Sequence, residues 1–393
     1  MTLGDRSDPL VERMRRFGTT IFAEMSALAV QTDSINLGQG FPDTDGPAEV
    51  LDAAVAAIRS GHNQYPPGRG IPELRTAITE HQRQWYDLSY DPAVEVLVTA
   101  GATEAITAAV LALCEAGDEV IALEPTYDSY GASVALAGAR LVPVRLTFPD
   151  YAVDLDRLRA AVTSRTRLLL VNSPHNPTGR VLSDVELAGI AEIAVEHDLL
   201  VICDEVYEHL AFDDSTHVPL ATYPGMRERT LQVSSAGKTF AATGWKIGWV
   251  CGPPPLVTAV TTTKQFLTYV NGAPFQWAVA AGLALPPERF DRIRLDLQDR
   301  RDQLVPALTA AGMEVSVPQA TYFVTADIGP LGESDGFAFC RSLPERCGVV
   351  AVPSQVFYLD PGAAERRIVR FAYCKRPEVL AEAADRLAGL HAV

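Results

Sequence analysis

Two lysines stand eight residues apart in the small-residue stretch SSAGKTFAATGWKIGW (234–249): Lys238 behind Ser-Ser-Ala-Gly, and Lys246 behind Gly-Trp. Small residues let a backbone approach a bound group closely. A lysine in such a place can be a covalent anchor for a carbonyl compound, and a second can hold an anion. Two solvated loop lysines are the plain alternative, and the other strand ends weigh against it. Asp204 directly follows the apolar run LLVIC, so a carboxylate ends a buried strand, which is costly without a cation. Tyr207 comes three residues later. Asn176 lies in NSPHNPTGR (172–180), where two X-Pro bonds stiffen a loop that presents its amide. TAGATEA (99–105) places Ala102 and Thr103 at a strand-to-helix turn, where backbone N–H groups can cradle an anion. Tyr127, in EPTYDSY, follows another strand and can stack on a flat ring.

Each signal alone is modest, since an Asn-Pro turn, a rim tyrosine or a connecting glycine turn would look the same. Together they form one set: an amine for an aldehyde, a carboxylate for a ring nitrogen, an amide and a phenol for a ring oxygen, a stacking phenol, and a phosphate cradle with a supporting lysine. Pyridoxal 5′-phosphate needs that whole set.

These residues require elements that bring distant strand ends together. From about 46 to 285, short apolar runs alternate with helical patterns. The strand-like runs are VEVLVTA (94–100), EVIALEP (119–125), ARLVPVRL (139–146), RLLLVNS (167–173), LLVICDE (199–205), TLQVSS (230–235) and KIGWVCG (246–252). Most lack a wet face, as expected of strands covered on both sides. Amphipathic segments such as 103–117 and 183–198 lie between them, the latter with Ser183 and Glu186 spaced as a capping box. This predicts an α/β domain of three layers with a mostly parallel sheet, whose ligands sit outside the carboxyl ends of the strands. After a long helical pattern (286–312), short strands and a last helix predict a smaller α+β domain, formed by 286–393 together with 1–45.

The 393 residues suffice for such a two-part core. The net charge of −16 argues against nucleic acid and anionic membrane as partners. The first residues contain no apolar run of a secretory signal, and no stretch of about 18 apolar residues appears. The six cysteines are scattered without a C-x-x-C pair, so no metal site or redox dithiol is signalled, and a reducing cytoplasm is expected. No internal repeat is present.

INLGQGFPD, NQYPPGRG, NSPHNPTG, DEVYEHL, SSAGKTFAATGWKIGW and VRFAYCKR occur in order over nearly the whole chain. In these motifs the sequence resembles the fold-type I aminotransferases of class I/II. Within them it is similar to the kynurenine aminotransferase/glutamine transaminase K group, and to an actinobacterial branch of N-succinyldiaminopimelate aminotransferases. The resemblance implies a PLP-transferase fold and the transfer of an amino group from an L-amino acid to a 2-oxo acid by a ping-pong route. It implies that Lys238 carries the cofactor and moves the proton, and that Asp204 pairs with the ring nitrogen. Asn176 and Tyr207 would bond the ring oxygen, Tyr127 would stack, and Ala102, Thr103, Ser235 and Lys246 would hold the phosphate. Arg370, Gly40 and Asn176 would hold the substrate carboxylate, with Phe22 over its side chain. Tyr65 would reach the neighbouring subunit's phosphate, implying a homodimer with shared sites. Phe22, Tyr127, Tyr322 and Phe357 are expected to make the pocket partly aromatic. The donor is read as N-succinyldiaminopimelate-like or as an aromatic or sulfur amino acid. Two rival readings share many of these features: a lyase or other carbanion chemistry on the same cofactor, and a non-catalytic cofactor-binding regulator.

Overall fold

The computed structural model describes residues 10–17, 21–362 and 365–390. The expectations for 1–9, 18–20 and the last three residues fall outside these. Seven strands form the central sheet: β1 (Val96–Thr99), β2 (Glu119–Glu124), β3 (Arg140–Arg145), β4 (Thr166–Asn172), β5 (Leu200–Asp204), β6 (Thr230–Ser235) and β7 (Gly248–Cys251). Their spatial order is β1-β7-β6-β5-β4-β2-β3. All the pairings among β2 to β6 are parallel, while β7 runs antiparallel to both β1 and β6. The reversal has a consequence for chemistry. The other six strands end at one edge of the sheet, and β7 begins there, so Lys246 is delivered to the edge that receives Asp204 and Ser235.

The strands read as uniformly apolar because both faces are covered. One face packs Leu97, Val120, Leu168, Ile202, Leu231 and Val250 under the helices Gly101–Leu113, Asp128–Leu136 and Pro254–Lys264. The opposite face packs Ile121, Leu169 and Val201 against the helix Asp184–Glu196, and Val98 and Trp249 against Pro72–Tyr86 and Ala273–Leu283. Edge strand β3 departs from the apolar pattern: Leu141 and Val144 are buried while Arg140 and Pro143 are exposed. The helix predicted over 103–117 begins earlier and stops at Leu113, ahead of the turn around Gly117. Ser183 and Glu186 do form a reciprocal capping box at the start of Asp184–Glu196.

A second sheet of four antiparallel strands, ordered β10-β11-β9-β8, is built from β8 (Glu314–Ser316), β9 (Phe323–Asp327), β10 (Val352–Pro353) and β11 (Ile368–Ala372). Its core gathers residues from 297 onward with Met25, Ala29 and Leu37 from the N-terminal segment, and with Tyr207, Leu210 and Phe212 from beyond β5. Ile35–Asn36 pairs in parallel with Val349–Val350. The N-terminal helix Ile21–Gln31 is thereby fixed beside the second sheet, and Gly38–Phe41 runs across the carboxyl edge of the first.

Candidate active site

A cavity of about 390 Å³ opens at that edge, and the residues singled out from the sequence line it, except Tyr65, Tyr322 and Phe357. The lining comprises Phe22, Gly40, Ala102, Thr103, Tyr127, Asn176, Asp204, Tyr207, Ser235, Lys238, Lys246 and Arg370. The ends of six strands of the large sheet, two strands of the small sheet and the N-terminal segment meet there, which explains why their residues are scattered through the chain.

The anion end is built by close backbone approach. The helix Gly101–Leu113 has no side-chain cap at its N-terminus, so its first N–H groups remain available. Gly101 lies at φ +75°, and a Cβ there would meet Lys246 Nζ at 3.3 Å. Gly248 allows β7 to touch the same turn, since a Cβ would lie 2.6 Å from the carbonyl carbon of Gly101 and 2.8 Å from the nitrogen of Ala102. Lys246 itself takes a left-handed conformation at φ 53°. An anion held here has helix N–H groups on one side and an ammonium on another.

Lys238 sits on the short turn after β6, half-buried, where its Nζ donates to Tyr322 Oη at 2.6 Å; that phenol donates in turn to the carbonyl of Gly40 at 2.8 Å. Burial pulls the Lys238 ammonium down to about 8, and Arg370 and Lys246 add to the effect while Cys374 and Asp204 oppose it. A sizeable neutral fraction near pH 8 suits an amine that must act as nucleophile and base. The lowering comes mainly from desolvation, with neighbouring cations a smaller contribution.

Asp204 is 4% exposed and has no ion pair within the described residues. Its Oδ2 instead accepts the phenol proton of Tyr130 at 2.6 Å, and its Oδ1 accepts the N–H of Val206 at 3.3 Å. Burial raises its carboxyl to about 6, while the Tyr130 bond and Lys238 oppose that rise. Asn172, beside Asp204 in register, donates from its amide to the Asp204 carbonyl at 2.8 Å and accepts the N–H of Asn176 at 2.8 Å. That pair of bonds fixes the loop presenting Asn176, which carries cis bonds at Ser173–Pro174 and Asn176–Pro177.

Arg370 projects from the middle of β11 and is 2% exposed. It donates to Asn176 Oδ1 at 3.2 Å and to the carbonyl of Gly38 at 3.1 Å. Its guanidinium lies 3.9 Å from the ring centre of Phe323, 4.6 Å from Phe357 and 5.4 Å from Phe22. Burial lowers it to about 10, and its Nε finds no partner in the protein. A buried cation with unused donors fits a carboxylate ligand.

The aromatic pocket differs from expectation. Phe22 and Tyr127 line the cavity, but Phe357 stands behind Arg370, and Tyr322 stands behind Lys238 and lines a neighbouring hollow; Phe41 and Phe323 take the lining places. Tyr130, Gln39 and Asp128 went unrecognised as site residues, and Tyr322, expected in the pocket wall, instead bonds Lys238. Tyr130 lies one helical turn after Tyr127, a spacing that puts both on one side of Asp128–Leu136. Gln39 donates to Ser26 Oγ at 2.6 Å and to the carbonyl of Phe22 at 3.2 Å, tying the N-terminal helix to the cavity rim. Tyr65 is 83% exposed, packs on Tyr269 and lies outside this chain's cavity.

The aminotransferase class I and II family model matches residues 32–387. The chain is a member of that aminotransferase family. It is 54% identical to the probable N-succinyldiaminopimelate aminotransferase of Mycobacterium tuberculosis over 97% of this chain and 98% of that protein. It is 38% identical to the methionine aminotransferase of Escherichia coli, covering 97% and 99%, and 34% identical to a kynurenine–oxoglutarate transaminase of Dictyostelium discoideum, covering 94% of each. The solved structure of the M. tuberculosis enzyme superposes with a TM-score of 0.95 over 97% of this chain and 100% of the other. The aminotransferase is therefore an enzyme that transfers amino groups, on a fold-type I framework with a mostly parallel central sheet.

Proposed function

We propose that this aminotransferase binds pyridoxal 5′-phosphate in the cavity and moves an amino group from an L-amino acid to a 2-oxo acid in two half-reactions. The observation carrying the reading is the convergence on one cavity of a half-buried lysine, a buried carboxylate and a buried, partly unpartnered arginine. The uncapped helix end and Lys246 fit a phosphate, and the flat space beside Tyr127 fits a ring. When bound, the cofactor supplies an aldehyde for the amino group and a protonated ring that accepts the electron pair released at the substrate Cα.

Lys238 holds the cofactor and then moves the substrate Cα proton, with Tyr322 keeping its amine aimed into the cavity. Asp204 keeps the ring nitrogen protonated, and Tyr130 keeps Asp204 ionised and oriented. Asn176 and Tyr207 bond the ring oxygen. Ala102, Thr103, Ser235 and Lys246 hold the phosphate. Arg370 and the Gly40 backbone hold the substrate carboxylate, and Phe22 covers its side chain.

Two donor classes fit, and the relatives carry names from both: N-succinyldiaminopimelate on one side, methionine and kynurenine on the other. The 54% identity favours the first. The exposed Tyr65, Phe266, Leu267 and Tyr269 supply an apolar surface for a second copy, from which Tyr65 would reach the partner's phosphate site. We assign 46–285 to the cofactor domain and 1–45 with 286–393 to the smaller one. No helix of the described residues is long and apolar enough to cross a membrane, and the six free cysteines fit a reducing cytoplasm.

The experiment is an absorbance titration of the purified protein with single L-amino acids and no oxo acid. Bleaching of the visible cofactor band to the near-ultraviolet is expected, and the amino acids that cause it name the donor. Release of ammonia without bleaching would replace amino transfer by elimination. Absence of a visible band after adding pyridoxal phosphate would end the cofactor assignment.

A further inference from the structure

A second buried polar chamber lies behind the cavity, between the sheet and the helix Pro72–Tyr86. It draws on the same DEVYEHL turn, whose residues point two ways. Asp204 and Tyr207 face the cavity, while Glu205, Glu208 and His209 face the chamber. His81 from the helix, His217 from the following loop, and Gln232 and Ser234 from β6 complete it. All of these residues are 9% exposed or less.

The chamber is not closed by its own hydrogen bonds. His81 Nε2 meets His209 Nε2 at 2.7 Å, Ser234 Oγ donates to Glu208 Oε1, and Gln232 donates to Glu205 Oε2 at 2.9 Å. Glu205 Oε1, His81 Nδ1 and both ring nitrogens of His217 find no hydrogen-bond partner in the protein, and Glu208 has the buried Tyr86 phenol beside it. His217 Nε2 approaches Glu205 Oε2 at 3.5 Å without hydrogen-bond geometry. No lysine or arginine pairs with either glutamate among the described residues; the nearby Arg227 is paired with Glu95. Two buried carboxylates therefore share a space with three histidines and no side-chain ammonium or guanidinium. Buried carboxylates are stable only when protonated or matched by a cation.

Ligand atoms of His81, Glu208 and His209 all lie within 4.8 Å of one another. Around one zinc-like ion, with bonds of about 2.0–2.2 Å, such atoms stand about 3.3 Å apart, so the imidazole pair exchanges its 2.7 Å hydrogen bond for the ion and the carboxylate moves in. Two imidazoles and a carboxylate select a first-row divalent ion of the zinc type over calcium or magnesium, which prefer all-oxygen sites. Trp85 and Phe290 pack against the two imidazoles and wall the position off.

We propose that His81, Glu208 and His209 bind one zinc-type divalent cation, with Glu205 and His217 as further donors in the same chamber. The ion has a structural role. It ties the helix Pro72–Tyr86 to the turn that follows Asp204 at the end of β5, and through Ser234 to the end of β6, just ahead of Lys238. It takes no part in amino transfer, and the site does not rest on the reading of the cavity.

The test uses the full-length protein, dialysed against a chelator and titrated with Co²⁺ or Zn²⁺. The expected result is one equivalent bound per chain, a Co²⁺ ligand-field band at longer wavelength than the cofactor's, and a rise in Tm with Zn²⁺. In His81→Gln and His209→Gln the equivalent and the band should both disappear. X-ray absorption on the Zn²⁺-loaded wild type keeps the test independent of how those variants fold, and should give a shell containing two imidazoles. Absence of stoichiometric uptake, uptake unchanged in both variants, or an all-oxygen shell would each overturn the proposal and leave a hydrated chamber with protonated Glu208.

Discussion

The cavity and the chamber behind it are built from one turn and have opposite charge logic. On the cavity side, Asp204 faces Lys238, Lys246 and Arg370, and an open space joins them. On the chamber side, Glu205 and Glu208 face histidines and phenols within a closed wall. Both regions hold carboxyls raised by burial, Asp204 to about 6 and Glu208 to about 7. The cations decide what each can do. Where fixed cations face an opening, a buried carboxylate can serve an incoming ligand. Where none is present, the same burial calls for a proton or a metal ion. Burial alone is thus no mark of catalysis; the sign of the surrounding charge and the presence of space are.

The largest effect should come from Lys238→Ala, which removes the amine we propose moves the proton. Turnover is expected to fall by about 10⁴-fold or more while substrate still binds, measured by steady-state rates and by equilibrium titration. Near-normal turnover would remove the cavity from the reaction altogether. Next comes Arg370→Gln. Loss of a charge-assisted pair worth about 1.5–3 kcal/mol should lower kcat/KM by roughly 10- to 100-fold, and the loss should be similar for every amino acid that shares the α-carboxylate.

Asp204→Asn sharpens the contrast between ligand service and stability. The folded carboxyl sits near 6, above its ordinary 3.8, so the native state holds the proton more tightly than the unfolded state. Its contribution to stability is full below about 3.8 and is lost as pH rises through 6. The variant should therefore raise the Tm of cofactor-free protein at pH 7 and bring no gain near pH 4, while weakening cofactor binding at both. A lower Tm at pH 7 would show that the carboxylate is satisfied without a ligand. Tyr130→Phe removes the phenol bond to the same carboxylate. A loss of about tenfold in cofactor affinity, with KM for the amino acid unchanged, would mark Tyr130 as a positioning residue. The smallest effect belongs far from both regions: Ser183→Ala breaks the capping box, and should cost about 1 kcal/mol of stability with no change in turnover.

Much of this was legible before any coordinates. The parallel strands announce themselves because helices cover both faces, and that burial writes continuous apolar runs. Asp204 and Lys238 stand directly after such runs, where an α/β sheet must place a ligand. The Ser183 cap is readable because it is local, and its spacing is that of one helical turn. Phe357, Tyr322 and Phe323 could not be sorted in this way. Which of them faces the cavity depends on how the second sheet seats against the first, a matter of contacts more than 80 residues apart in sequence, such as Lys238 with Tyr322.

The sequence by itself determined the aminotransferase family and the α/β sheet, and it marked Asp204, Ser235 and Lys238 at strand ends, because strand ends are marked locally. Tertiary structure alone decided the rest. The reversed β7 carries Lys246 to the anion end, β11 brings Arg370 against Asn176 from 194 residues away, and Tyr130 is the partner of Asp204. It alone also turned half of DEVYEHL away from the cavity: β5 ends at Asp204, and the turn that follows sends Val206 and Tyr207 to the cavity and Glu205, Glu208 and His209 away from it.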